Sequence, residues 1–203
     1  MPQLDQLVSL IDTSFQTGNF DARRFQIAKY YGIVDRVKTK SQDQEKIEPM
    51  MVDNSGNGVP VVYSDKWNLQ VYHTIEDIDY KQAEPNYGPP GMTMEENASM
   101  KIIFIGNRRK LQVRPEDIAA AMIIDIPKQF ISSMVTPLGM SSVVITTGDV
   151  ETDPYKVWAE LYEGVNSFIN PEIMMLSIKY NIISTYNKGC STLCSIEGEP
   201  TNE

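Results

Sequence analysis

The residues able to do chemistry are few. There is one histidine, His73, and two cysteines, Cys190 and Cys194. A serine triad needs a hydroxyl within hydrogen-bond reach of an imidazole that a carboxylate orients. No serine here stands in a nucleophile-elbow sequence, and His73 shares alternate positions with Val71, which reads as a core or rim histidine. Cysteine catalysis would require that same imidazole to meet a thiol in the segment Lys-Gly-Cys-Ser-Thr-Leu-Cys-Ser near the C-terminus. Two thiols cannot close a zinc site, and this stretch has no histidine to complete one. Reduced, unpaired thiols are the expectation, with an adventitious disulfide as the second choice.

Oxygen ligands and phosphate loops fare no better. Asp149, Glu151 and Asp153 alternate like the start of a calcium loop, and Glu160 falls at its twelfth place. The sixth place is Pro154, where such a loop needs glycine for its sharp turn. An enzyme built on acidic residues with a divalent metal at Asp149 and Asp153 is therefore the weakest of three functional readings. The glycine-rich run Asn54–Gly58 precedes a strand rather than a helix and carries no Lys-Ser/Thr pair, so it reads as a hairpin turn. The expectation is a non-enzymatic chain with no catalytic residue, no cofactor and no metal.

Charge narrows the partners. The net formal charge is -9, opposed to the basic footprint of a nucleic-acid binder. Arg108, Arg109 and Lys110, with Arg114 behind them, form the one dense basic group. They read as a solvated hairpin or strand end, or alternatively as a phosphate contact.

The elements that must carry these residues describe an α+β domain. The chain has 203 residues, 41% hydrophobic and 22% charged, enough for a proper core. Leu4, Leu7, Val8, Ile11 and Phe15 recur at helical spacing, with Asp12 placed off that face. A second helical piece is expected from Phe20 to about Tyr30, then a polar linker over Lys38–Glu48. Trp67, Leu69, Val71, His73 and Ile75 alternate as a strand with one buried and one wetter face. Met100–Ile105 reads as a central strand, Pro115 as a helix start and Pro127 as a kink or break in that helix. Val143–Thr146 is a short β run. Asp153-Pro154 caps a helix with Val157, Trp158, Leu161, Tyr162 and Val165 on its apolar face, stopped at Asn170-Pro171. Met174–Ile183 is the clearest strand. A mainly antiparallel sheet flanked by helices follows.

Between these elements the stretch 76–99 holds Pro85, Gly88, Pro89, Pro90 and Gly91 among several acids. A loop of that length inside a compact domain is unusual. It reads as a projecting arm, and Met92 and Met94, apolar within polar surroundings, suggest that it docks on a neighbour. Pro85, Tyr87, Pro89, Pro90, Met92 and Met94 are the candidate assembly residues. The domain is placed at 1–189, with 190–203 as a flexible tail. The densest apolar run, Ile118–Ile126, contains Asp125 and stops at Pro127, far short of the ~20 residues of a membrane span. The first residues lack a secretory signal, so a cytosolic origin is expected.

The order of elements from Leu4 to Tyr186 resembles the tail-terminator and neck proteins of tailed bacteriophages. The Asn-, Ile-, Tyr- and Met-rich composition is similar to ring proteins of crAss-like phages. The resemblance implies a homo-oligomeric ring at the head–tail junction or along the tail of a virion, assembled in the host cytoplasm. Portal or other neck and tail proteins would be its neighbours, and DNA would pass without tight binding. A monomeric binding or adaptor module using the 76–99 loop is the competing reading.

Overall fold

The computed structural model describes residues 2–17, 27–41, 44–52, 55–64, 66–82, 93–132, 140–163 and 172–187. The chain runs α1 (Pro2–Thr17), β1 (Ile27–Ile33), β2 (Asp35–Ser41), β3 (Gln44–Val52), β4 (Gly58–Pro60), β5 (Leu69–Gln82) and β6 (Thr93–Asn107). It continues with α2 (Arg108–Leu111), α3 (Pro115–Ser132), β7 (Met140–Glu151), α4 (Pro154–Leu161) and β8 (Ile173–Asn187). The α+β class holds. A five-stranded sheet has the order β1-β5-β6-β8-β7, and a three-stranded sheet has the order β2-β3-β4. Every pairing is antiparallel except β1 with β5.

The larger sheet is covered on one face by α1 and α3. Leu4, Leu7, Val8, Ile11 and Phe15 of α1 and Ile118, Met122 and Ile126 of α3 are buried there. They pack with Leu69, Val71, Met100, Ile102, Phe104, Leu176, Ile178 and Tyr180. The opposite face is covered at one end by α4 and the smaller sheet, where Val34, Val61, Tyr72, Ile103, Ile105, Val157, Leu161 and Met175 form a second cluster. That second layer corrects the expected wet face of β5, since Gln70, Tyr72 and Thr74 are all buried. Gly106 lies where the layers meet. A β-carbon there would stand 2.9 Å from the Asn68 carbonyl oxygen and 2.8 Å from Leu111.

Further expectations are corrected. Ile27–Tyr30 belongs to strand β1, not to a helix, because its side chains pack along β5 and α1. Lys38–Glu48 is no linker: Asp35–Ser41 pairs in continuous register with Gln44–Met50. The flanks of the 76–99 stretch are strands as well. β5 runs to Gln82 and β6 starts at Thr93, paired from Asp77↔Ser99 to Gln82↔Met94. β8 continues the pairing beyond β6, with Met94↔Tyr186 and Thr93↔Asn187. This end is thus multi-stranded sheet rather than an isolated loop, and backbone hydrogen bonding outweighs the poor strand propensity of its acids. Pro127 does not interrupt the assigned span of α3, and α4 ends at Leu161.

Candidate functional site

His73 lies wholly inside the first core, at a junction of three elements. Its Nε2 is 3.0 Å from Asp12 Oδ1 on α1, and its Nδ1 is 2.7 Å from the Tyr180 hydroxyl on β8. With the ring proton on Nε2, the imidazole donates to Asp12 and accepts the Tyr180 O–H, so both ring nitrogens are satisfied. Burial and then the Asp12 charge hold the Tyr180 hydroxyl well above the usual phenol range. Tyr30 is raised for the same two reasons. The trio has the residue types of a relay, yet His73 and Tyr180 are fully buried and offer no nucleophile to a substrate. It fastens α1 to the sheet. Asp12 is 7% exposed, which corrects its placement off the buried face. The acid follows Val8 at i+4 in an apolar stripe, and that spacing was the available signal.

A second polar constellation occupies the part of the sheet that α4 leaves open. Lys101 of β6 and Lys179 of β8 are direct cross-strand partners, an arrangement of like charges that is unfavourable by itself. The register slips between Ile75 and Asp77, so Glu76 is the extra residue of a β-bulge. The bulge brings its carboxylate over both lysines, 2.6 Å from Lys101 Nζ and 2.9 Å from Lys179 Nζ. Lys101 also binds Glu160 of α4. Burial pushes the Glu76 carboxyl upward, but hydrogen bonds from Lys101 and Lys179 outweigh it and leave it below its ordinary value. A groove of about 410 Å³ runs beside this cluster, lined by Asp149, Glu151, Lys156 and Glu160 among others. Within it Lys156 pairs with Glu151 at 3.2 Å.

The remaining sequence candidates fall in separate places. Asp153 caps α4 by accepting the Tyr155 N–H. Glu151 accepts the Asp153 N–H and binds Lys156, and the backbone bond is the larger cause of its lowered carboxyl. Asp149 and Glu151 belong to strand β7 and line that groove with Glu160, whereas Asp153 is not among its lining residues and is spent on the α4 cap. No group of metal-ligating side chains occurs among the described residues. Arg108, Arg109 and Lys110 form the exposed helix α2, capped by Asn107. Arg109 is paired with Glu172 at 2.8 Å, and Arg114 with Asp117. Met94 is half-buried in β6. Pro85, Tyr87, Pro89, Pro90, Met92, Val165, Cys190 and Cys194 lie outside the described residues.

One feature was hidden from the sequence because it belongs to topology. β7 is an outer strand of the larger sheet, paired with β8 alone among the described residues. It is 12 residues long. No helix among the described residues is long and apolar enough to cross a membrane. The chain matches no protein-family model and has no significant match among curated proteins.

Proposed function

We propose that the chain is a structural subunit of a bacteriophage virion, one that forms a homo-oligomeric ring at the head–tail junction or in the tail, around the channel that DNA crosses. The observation that carries this reading is how its polar chemistry is distributed. His73, Glu76, Lys101, Lys156 and Asp153 each serve a contact within the fold, while a long outer strand has no second strand partner among the described residues. The resemblance of element order to tail-terminator and neck proteins supplies the rest. A net charge of -9 suits a conduit through which DNA moves without adhering, because like charge keeps phosphates from docking.

A ring of identical subunits needs a head-to-tail contact that closes on itself. Native mass spectrometry of the purified chain tests the proposal by giving one discrete stoichiometry. Duplex DNA added at low salt should not shift that species. A chain that remains a monomer at every concentration, or that binds DNA tightly through Arg108–Lys110, would overturn the reading.

A further inference from the structure

We infer that Ser142–Thr147 of β7 is a subunit contact, where an extended strand from a second copy of this chain adds to the larger sheet. The inference rests on the reading of the chain as an assembling subunit and names the surface. In an antiparallel sheet, successive residues direct their N–H and C=O groups alternately to the two sides of the strand. One row on β7 is used by β8, and the other has no strand partner among the described residues. From Ser142↔Thr185 to Thr147↔Tyr180 the register with β8 is unbroken, bounded by irregularities at Met140/Ser142 and Thr147/Val150. The window between them is regular strand, free of the bulges that twist an edge away from a partner.

Its composition points the same way. Val143, Val144, Ile145, Thr146 and Thr147 are all β-branched, and the window holds no charge, proline or glycine. Proteins that must stay apart guard such edges with lysine, proline or bulges, since short uncharged β-rich segments pair readily with other chains. Val144 is 52% exposed, on the sheet face opposite buried Ile145.

Charge selects the occupant. Two copies of a chain with net charge -9 repel one another except where neither presents a charge. β7 carries none from Met140 to Gly148. A basic partner would gain nothing from this neutral window, whereas an identical chain meets no like charge in it. Six residues at about 3.4 Å each span about 20 Å, enough for a short ladder of backbone bonds.

Sedimentation velocity on the full chain tests the contact, comparing wild type, Val144→Lys and Val144→Thr. Val144→Lys should weaken association by about tenfold or more, because pairing would then desolvate a charge. Its circular dichroism should match wild type, as should its melting at dilutions where both are monomeric, and Val144→Thr should assemble normally. A Val144→Lys chain that associates as wild type does overturns the contact and leaves the ring proposal standing. A wild type that never associates overturns the ring proposal itself. Hydrogen exchange on monomeric Val144→Lys excludes self-coverage: outward β7 amides should exchange rapidly, and protection persisting there would mean that the chain's own residues occupy the edge, overturning the contact.

Discussion

β7 and β2 are both outer strands, and they are built in opposite ways. β2 reads Asp-Arg-Val-Lys-Thr-Lys-Ser, with Arg36, Lys38 and Lys40 all exposed. Lys38 reaches Glu45 on the neighbouring strand at 2.6 Å, with both side chains about 60% exposed. Solvent screens such an exposed pair and leaves it little weight in folding, so stability does not explain the basic strand. Desolvating those lysines against another chain would be costly, and that protects the edge. From Ser142 to Thr147, β7 has the β-branched content of a central strand without any such guard. The contrast teaches that the lack of charge on β7 from Met140 to Gly148 is local: the same chain charges an edge elsewhere.

Reversing the guarded edge gives the largest expected effect. Arg36→Thr, Lys38→Thr and Lys40→Thr together would leave β2 without its cations, and light scattering should show concentration-dependent aggregation beyond the discrete species formed by wild type. Unchanged scattering would mean that charge does not distinguish the two edges. The core should behave differently from either edge. His73→Leu removes the partner of both the Asp12 carboxylate and the Tyr180 hydroxyl and should lower unfolding free energy by about 3 kcal/mol. Denaturant titration measures that loss. Association of the remaining folded protein should be unchanged, which separates interior from edge.

Glu76→Ala gives the smallest effect, about 1–2 kcal/mol near neutral pH, between the values for surface and buried pairs. The folded carboxyl is held below its ordinary value. Its contribution is therefore present above the ordinary carboxylate range and disappears as pH falls through the lowered value. The difference between wild type and Glu76→Ala, followed by denaturation midpoints, should shrink on acidification. A constant gap would show that Glu76 acts by packing rather than by its charge.

What the sequence made legible was what local spacing encodes. Leu4 to Phe15 announced α1, Asp153-Pro154 announced the cap of α4, and alternation from Met174 announced β8. The β3–β4 hairpin was legible from its glycine-rich turn, but β2 and the start of β3 were missed, because most of their residues are polar and Val37 and Ile47 gave too little alternation to separate strand from linker. Burial of Tyr72 under α4 and the smaller sheet depends on a second layer that no local pattern records. Glu76–Gln82 read as loop because acids are poor strand formers, and the compensating Lys101 and Lys179 arrive from strands distant in sequence. The pairing of His73 with Asp12 spans 61 residues, and the outer position of β7 is a matter of strand order.

The central claim is that this chain uses its polar side chains within the fold and assembles through its surface. Electron microscopy of the purified wild-type protein tests it most directly. Class averages should show closed rings of uniform subunit number around a central opening, and those rings should be lost in Val144→Lys. A field of single compact particles in both samples would contradict the account.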